Sequence, residues 1–313
     1  MLPLVLLAAL AAPLTVRTEP GRVTVQSGMQ PLATYRYDDP AILRPYLCDV
    51  FTTDGHRVTR NLPPIEGRDA VDHPTMHPGL WLAFGDLGGT DFWRNKGRVV
   101  HENFMTEPRA EGDGVSWAVA NRYEAGDRTI CREVSRLSFA PRPGGYLVVW
   151  AAEFSPADGE VSFGDQEEMG FGLRVATSLA VKTGGQILAS HGGENERGTW
   201  GRTADWCDYR GTVQGDKGKS ADGADRIIGA TLMPDPQNFR PSWFHARDYG
   251  LLVANPFGRR AFKQGEASRV PVPPATPLRL RFGVYIHSTA PNDPPDLPAE
   301  YRAFVATTFS PRN

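Results

Sequence analysis

The segment that most constrains the fold lies late in the chain, at residues 278–287, with the sequence LRLRFGVYIH. Its apolar side chains recur at every second position, while arginine, tyrosine and histidine occupy most of the positions between them. A period of two is typical of a β-strand that buries one face and presents the other to polar surroundings. Such a strand needs a sheet with a second layer packed against it. The segment therefore predicts a layered β-protein.

Other short apolar segments, bounded by glycine, proline or aspartate, predict further strands. The near-continuous apolar run YLVVWAAEF at 146–154 is typical of a central strand. The predicted strands, with a hairpin through Asp54-Gly55, lie at 16–25 (itself a hairpin), 32–37, 47–51, 56–60, 80–84, 98–104, 116–124, 130–139, 146–154, 171–175 and 278–287. These strands predict an all-β fold, a large antiparallel β-sandwich with very little helix.

One helix is predicted, at residues 297–308, with Asp296 as N-cap and Pro298 in its first turn. Residues 191–225 form a long polar segment without a clear pattern, and we expect an irregular loop there. The 33 glycines and 27 prolines suit many short strands joined by tight turns. Because neither a repeat nor a linker is evident, we expect residues 13–313 to form a single β-sandwich domain.

The first twelve residues, MLPLVLLAALAA, predict a secretory signal peptide with an A-x-A cleavage site at residues 9–11, although a basic n-region is missing. We therefore expect export to the periplasm or the extracellular space. No later run approaches the roughly 20 apolar residues of a transmembrane helix, and no transmembrane segment is predicted.

The charge balance and the cysteines exclude other classes of protein. A net charge of −2 and a pI near 6.4, without a basic stripe, argue against a nucleic-acid partner. Cys48, Cys131 and Cys207 include no CxxC pair, so we expect buried thiols, although one unspecified pair could bridge. The sequence also lacks the GxSxG, P-loop and GxGxxG motifs, so it does not support an α/β-hydrolase, a P-loop NTPase or a Rossmann fold.

The first candidate site is the stretch from 72 to 104, a polar and aromatic loop held between two predicted strands. His73 and His77 have the H-x3-H spacing of a helical zinc pair. However, Pro74 and Pro78 follow them directly, and a residue before proline is displaced from the α region. We therefore predict a kinked loop and neither a metal nor another cofactor. A metal enzyme using these two residues and a further histidine remains an alternative.

The same stretch carries aromatic rings beside charged groups. Trp93 lies between Asp91 and Arg94, with Asp86 a few residues earlier. Flat rings next to carboxylates and arginines suit a sugar-binding cleft, because C–H groups stack on the rings and hydroxyls bond to the charged tips. Trp81 could serve the same purpose, although its apolar strand also favours a place in the core.

Two later segments carry groups suited to proton transfer. Glu168 enters an otherwise apolar strand, where burial would raise its pKa towards the working range of an acid or base, and Arg174 lies on the opposite face of that strand. In the segment WFHARDYG, His245 and Arg247 share one face, with Asp248 opposite. Trp206 and Asp208 repeat the mixture of aromatic ring and carboxylate.

Four segments, DHPTMHPGLWLAFGDLGGTDFWRNKG, DQEEMGFGLRVA, WGRTADWCDYRG and WFHARDYGLLVANPFG, occur in this order over about residues 30–290. Together they resemble a bacterial family of exported PmoA-like proteins of unknown function. The resemblance implies a galactose-mutarotase-like β-supersandwich, a fold common among sugar epimerases, lyases and glycoside hydrolases. It does not support a methane monooxygenase subunit, which would need transmembrane helices. The positions that match the family are His73, His77, Trp81, Asp86, Asp91, Trp93, Glu168, Arg174, Trp206, Asp208, His245, Arg247 and Asp248.

These observations favour an exported carbohydrate-active enzyme that hydrolyses a glycoside. Glu168 would be the general base or nucleophile, and His245, or else His77, would be the acid. Arg174 and Arg247 would hold substrate oxygens. The expected partner is a carbohydrate or another small molecule. A mutarotase-like sugar epimerase, a non-catalytic carbohydrate-binding protein and a histidine-ligated metal enzyme are the alternatives.

Overall fold

A computed structural model describes residues 13–214 and 224–307. The predicted signal peptide and residue 308, the end of the predicted helix, lie outside these ranges. Numbered along the chain, the strands are β1 (Leu14–Glu19), β2 (Arg22–Ser27), β3 (Gln30–Arg36), β4 (Tyr46–Cys48), β5 (Leu80–Phe84), β6 (Arg98–Glu111), β7 (Gly114–Ala125), β8 (Arg128–Arg142), β9 (Gly145–Pro156), β10 (Val161–Phe163), β11 (Met169–Arg174), β12 (Gln186–Ala189), β13 (Cys207–Val213), β14 (Arg226–Pro234), β15 (Trp243–Arg247), β16 (Leu251–Asn255), β17 (Val270–Val272) and β18 (Leu278–Thr289). The α-helices are α1 (Asn195–Thr199) and α2 (Leu297–Ala306), and two short 3₁₀-helices cover Thr177–Leu179 and Val181–Thr183.

Two eight-stranded antiparallel sheets form the sandwich. The first has the order β1-β2-β3-β4-β5-β11-β16-β15, and the second has the order β12-β13-β14-β18-β9-β8-β7-β6. A large buried cluster includes Leu82 and Phe171 from the first sheet and Val148 and Phe282 from the second, so the main core lies between the sheets. The structure confirms the predicted all-β sandwich with little helix.

The two strongest strand predictions are confirmed. Strand β18 places Leu280, Phe282 and Val284 in the main core, while Tyr285 joins a separate cluster on the opposite face. Strand β9 pairs with β18 on one side and β8 on the other, as a central strand should.

The predicted hairpin over 47–51 and 56–60 is wrong in extent. Strand β4 ends at Cys48, and only an isolated bridge joins Phe51 to Arg57. The Thr52 hydroxyl accepts a hydrogen bond from the backbone N–H of His56 at 2.9 Å and closes a turn instead. Side chains of this type often compete with regular pairing.

The C-terminal helix forms as predicted over its described residues. The Asp296 side chain accepts a hydrogen bond from the backbone N–H of Ala299 at 3.0 Å, which is the expected N-cap. Leu297 and Phe304 pack against the second sheet, and the Phe304 ring occupies the space above Gly283. The expectation of one irregular loop over 191–225 is wrong, because α1 and β13 lie within it.

The outer face of the first sheet, which points away from the second sheet, carries a different set of side chains. One row across β4, β5, β11, β16 and β15 contains Tyr46, Trp81, Gly172, Val253 and His245. Gly172 leaves room for the Trp81 indole, since a Cβ at that position would lie 2.4 Å from the ring. This row forms the floor on which the candidate site is built.

The structure also bears on the expectations for the cysteines and for membrane-spanning helices. Cys48, Cys131 and Cys207 are all buried free thiols, as expected. Among the described residues, no helix has the length and apolar character needed to cross a membrane.

Candidate functional site

A buried arginine fixes the loop that carries the two predicted histidines. Arg60 is 2% exposed, and its guanidinium donates to the carbonyl oxygens of Ala70 and Asp72 at 2.8 and 2.6 Å. It also donates to the carbonyl oxygens of His73 and His77, both at 3.3 Å. Four backbone positions of the loop are therefore tied to one rigid donor group. Nothing in the sequence around Arg60 distinguishes it from a surface arginine.

A second buried arginine joins this loop to the neighbouring segment. Arg44 donates to the carbonyl oxygens of Met76 and Trp93 at 2.5 and 3.0 Å, and to the Asn95 side chain at 2.8 Å. Burial lowers the pKa of Arg44 to about 10, and burial likewise lowers the pKa of Arg60 to about 10. Both groups still carry a positive charge near neutral pH, so this side of the site rests on buried cations.

The predicted histidines and tryptophans form an aromatic column. The His73 ring stacks on His77 with centroids 4.8 Å apart, and His77 stacks on Trp81 at 5.3 Å. Trp93 meets Trp81 edge-on at 5.1 Å. Both tryptophans are fully buried, so they support the histidines and have no free face for a ligand. Their predicted role as direct sugar contacts does not agree with this burial.

His77 lies inside the column with only 1% of its surface exposed. Burial lowers its pKa to about 2, and Arg174 contributes further to the shift. Both ring nitrogens are buried and make no hydrogen bond with the described residues. A neutral, covered imidazole does not supply a proton near neutral pH, and this argues against His77 as the general acid.

Arg174 and Asp72 form a two-pronged ion pair at the open side of the column. The guanidinium nitrogens donate to the two carboxylate oxygens at 2.8 and 2.7 Å, and Arg174 is 1% exposed. Burial alone would raise the pKa of Asp72, but the hydrogen bonds from Arg174 and His73 hold it well below its ordinary value. Tyr249 covers the pair, with its ring centroid 4.6 Å from the Arg174 guanidinium carbon.

The group formed by Asp72, His73 and His77 offers ligand atoms within 4.8 Å of one another, a set that a divalent metal could use. Its surroundings fit a metal poorly. Both oxygens of Asp72 already accept hydrogen bonds from Arg174, and Arg60 is a second buried cation beside the same loop. Adding a divalent cation would place like charges together in a poorly solvated region. His73 has a positive φ of 47°, which agrees with the predicted kinked loop.

A second group of charges centres on His245, at the far end of the row on the outer face. Its Nδ1 lies 3.1 Å from Oε2 of Glu167. The Arg247 guanidinium joins that same oxygen to Glu196, at 3.1 and 3.0 Å. Burial lowers the pKa of His245 while Glu167 opposes the shift, and the contact with His245 lowers the pKa of Glu167. These groups form a connected ionic chain.

Glu168 makes a different contact from its neighbour Glu167. Its carboxylate is 17% exposed and forms a close ion pair with Arg94. The same guanidinium binds Asp91 at 2.8 Å. Arg94 directly follows Trp93 of the aromatic column, and Glu168 directly follows Glu167 of the His245 group. The structure therefore joins the predicted residues Asp91, Arg94 and Glu168 in one cluster of ion pairs.

Partly exposed aromatic rings border each end of the site. Trp200 lies beside the ionic chain, with the Arg247 and Lys263 cations 5.8 and 5.9 Å from its ring centroid. Tyr249 lies at the histidine end and is also partly exposed. Sequence reasoning missed Glu167, Glu196 and Tyr249 as site residues. The DQEE run drew attention to this segment, but the partner of each glutamate comes from a distant part of the chain.

Four predicted residues lie apart from this site or serve another purpose. Asp86 lines a separate groove with a volume of about 740 Å³. Trp206 packs in the cluster beside α2, and Asp208 is buried in the second sheet against His287. Asp248 accepts a hydrogen bond from the backbone N–H of Glu196 at 2.9 Å and so holds α1 in place. Trp206 and Asp208 resemble the site residues in composition, but they lie at β13, which belongs to the second sheet.

Comparison with known proteins gives a family and little beyond it. Among solved structures, a 4-alpha-glucanotransferase from Thermococcus litoralis is 10% identical, with 90% of this chain and 38% of that chain covered, and a TM-score of 0.27. The chain thus spans well under half of that enzyme, and a similarity this low carries no argument. No curated protein matches the sequence. A family model described as a family of unknown function, DUF6807, matches residues 22–301, and the PmoA-like name is not confirmed. The chain belongs to the DUF6807 family.

Proposed function

We propose that this protein is a carbohydrate-active enzyme that hydrolyses a glycosidic bond on the outer face of the first sheet. The observation that carries the proposal is the ion pair of His245 with Glu167, whose atoms lie 3.1 Å apart, while the next residue, Glu168, forms an ion pair with Arg94. Glycoside hydrolysis needs two such groups, one to protonate the leaving oxygen and one to act as base or nucleophile.

His245 is the proton donor in this proposal. Nδ1 lies 3.1 Å from Oε2 of Glu167 but is buried without a well-directed hydrogen bond, and Nε2 makes no hydrogen bond with the described residues. Glu167 stabilises the imidazolium and fixes its orientation, as a carboxylate does in other acid–base pairs. Because burial lowers the pKa of His245, the protonated form accumulates only at acidic pH.

Glu168 is the base or nucleophile. Its ion pair with Arg94 favours the charged carboxylate that either role requires. Glu167 and Glu168 are consecutive, so their Cα atoms lie about 3.8 Å apart. The residue that positions His245 and the proposed base therefore belong to one short segment before β11, and the rings of Trp200 and Tyr249 are partly exposed surfaces on which a sugar could stack.

The proposal includes export to the periplasm or the extracellular space, supported by the apolar segment at residues 1–12. Glycans are abundant substrates in those compartments. Detection of the mature protein in a periplasmic or secreted fraction, starting close to residue 12, would test this part independently of the chemistry.

The test is depletion of a glycan panel, with products identified by NMR. We expect Glu168→Gln to lower turnover by about 10²-fold or more, while the matched control Asp86→Asn, a carboxylate in the separate groove, retains at least half of the activity. Full turnover by Glu168→Gln would refute the assignment. An anomeric change without cleavage would indicate a mutarotase-like epimerase, and binding without any product would indicate a carbohydrate-binding protein.

A further inference from the structure

The histidine loop, residues 72–77, has balanced charges around it. Three buried arginines lie beside the loop, and a carboxylate acts on each of them: Asp91 on Arg44, Asp69 and Asp72 on Arg60, and Asp72 on Arg174. Three positive charges are thus matched by three negative ones. Because no net charge remains here to attract an ion, hydrogen bonding is what distinguishes one ligand from another at this end of the site.

Asp72 is held as a hydrogen-bond acceptor. Arg174 is 1% exposed, and its guanidinium donates to the two Asp72 oxygens at 2.8 and 2.7 Å. Burial alone would raise the pKa of Asp72, but the hydrogen bonds from Arg174 and His73 hold it well below its ordinary value. An ionised carboxylate has no proton to donate. Nδ1 of His73, 2.9 Å from Oδ2, is therefore the donor in the contact between these two residues.

The other ring nitrogen of His73 is left as an acceptor. A neutral imidazole carries a single N–H, so with Nδ1 as the donor, Nε2 has a lone pair. Nε2 makes no hydrogen bond with the described residues. The His73 side chain is 39% exposed, whereas His77 is covered. The partly exposed ring of His73 therefore offers a hydrogen-bond acceptor to a ligand.

The ring that carries this acceptor is held in one orientation. It stacks on His77 with centroids 4.8 Å apart and lies nearly parallel to Tyr249 at 6.4 Å. The backbone of His73 has a φ of 47°, and Arg60 donates to its carbonyl oxygen at 3.3 Å. A residue other than glycine keeps this conformation only where its surroundings impose it, and such positions cluster at functional sites. An acceptor fixed in this way loses little freedom when a ligand binds.

We propose that His73 binds a hydroxyl group of the sugar, which donates a hydrogen bond to Nε2, while Asp72 and Arg174 fix the tautomer that this contact requires. A carboxylate or a sulfate ester at the same place has only acceptor atoms, which would face the lone pair and the Asp72 carboxylate. The subsite therefore selects a neutral sugar ring with a free hydroxyl group. This inference rests on the proposed carbohydrate function and names its substrate class.

The first experiment observes the tautomer of His73 in the full-length protein without a ligand. Long-range proton–nitrogen NMR spectra at pH 8, where an ordinary histidine is neutral, distinguish a protonated ring nitrogen from a bare one. We expect the proton on Nδ1. We expect Asp72→Asn to move it to Nε2, because the amide oxygen accepts from Arg174 and the amide nitrogen then donates to Nδ1. A proton on Nε2 in the unchanged protein would overturn the inference, as would a proton that stays on Nδ1 in Asp72→Asn. The spectrum of the unchanged protein decides even if that variant fails to fold.

The second experiment measures binding by calorimetric titration at pH 8 with cellobiose, lactose, mannobiose and the monodeoxy derivatives of each. We expect at least one disaccharide to bind and one of its deoxy derivatives to bind about tenfold more weakly, because the missing hydroxyl leaves Nε2 unpaired. In His73→Asn, a change that suits the positive φ, the two ligands should differ by less than about twofold. The matched control is His56→Asn, since His56 lies 3.9 Å from Asp54 in a separate turn, and it should keep the difference.

The inference would be overturned if no disaccharide bound, if every deoxy derivative bound as tightly as its parent, or if the difference persisted in His73→Asn. Stoichiometric divalent metal that His73→Asn releases would overturn it as well. The proposed hydrolysis is tested separately, by the turnover of Glu168→Gln. A disaccharide that shows the expected hydroxyl dependence but is not cleaved would support the subsite and count against hydrolysis alone.

Discussion

Two histidine–carboxylate pairs occupy the outer faces of the two sheets, and their surroundings differ. In the first sheet, His245 lies 3.1 Å from Glu167, with the His245 side chain 5% exposed and the Glu167 side chain 35% exposed. In the second sheet, His287 lies 2.9 Å from Asp208, and both side chains are 0% exposed. The chemical groups are alike, but only the first pair has a carboxylate that is open to solvent.

The second pair is enclosed by protein groups, although Nδ1 of His287 makes no hydrogen bond with the described residues. Asp208 accepts a hydrogen bond from the Thr231 hydroxyl at 2.8 Å and lies 3.2 Å from Arg210, while the Tyr285 ring stacks on His287. A buried ionic network of this kind holds strands together, and removing one member leaves another charge unpaired. The comparison shows that access to the outer surface, more than pairing, separates a candidate catalytic dyad from a structural one.

The largest expected effect separates the two histidines by activity. We expect His245→Gln to lower kcat/KM by about 10² to 10⁴-fold, because it removes the proton donor. We expect His287→Gln to leave the activity per folded molecule unchanged, since that side chain never meets the substrate. Steady-state kinetics corrected for the folded fraction would measure both, and equal losses would break the comparison.

The next effect separates the carboxylates by stability. We expect Asp208→Ala to lower the free energy of unfolding by about 3 kcal/mol, because it leaves the buried His287 and the partly buried Arg210 without their partner. Glu167→Ala, in a half-open position, should cost less than about 1 kcal/mol. Urea denaturation would measure both, and similar losses would mean that the Glu167 network is also structural.

A smaller effect concerns the pH dependence of turnover. Activity should fall as pH rises through the lowered pKa of His245, because the donor then loses its proton. In Glu167→Gln the opposing influence of the carboxylate is gone, so this alkaline limb should move to lower pH and turnover should fall about tenfold. If the alkaline limb of the pH profile did not move, Glu167 would be excluded as the residue that positions His245. Activity that instead rises with pH would make His245 a base.

The smallest effect uses another buried carboxylate, Glu133, which accepts a hydrogen bond from Tyr123 at 2.8 Å and forms no ion pair with the described residues. Burial raises its pKa above 4.5, so its stabilising contribution is complete below pH 4.5 and is lost as pH rises. Asp208 has a lowered pKa, despite burial, through His287, so its contribution is lost only as pH falls below 3.8.

We therefore expect Glu133→Gln to be more stable than the unchanged protein at pH 8, by about 1 kcal/mol, and nearly equal to it at pH 4. Denaturation curves at the two pH values would show this. A constant difference across the pH range would mean that Glu133 stays protonated throughout.

The sequence predicted most strands up to β11, and β18, because burial on one face imposes a period of two on the residues themselves, but the predicted strands did not include β10 or β12 to β17. It also marked three segments, around His73, Glu168 and His245, that contribute to the candidate site. It could not show that Glu167 pairs with His245 while Glu168 pairs with Arg94, because those partners come from distant segments. Arg44 and Arg60 went unnoticed, since their partners are backbone carbonyl oxygens, which leave no trace in side-chain spacing.

By itself the sequence determined the all-β class, the N-cap of α2 and the kinked histidine loop, because each depends on local rules of alternation, capping and proline geometry. Only the tertiary structure decided which charged residues meet. Trp206 and Asp208 resemble the site residues in composition, yet they lie on the second sheet, whereas Arg174 and Arg247 share one row through β16. Strand pairing between distant segments sets that arrangement, and neighbouring residues do not encode it.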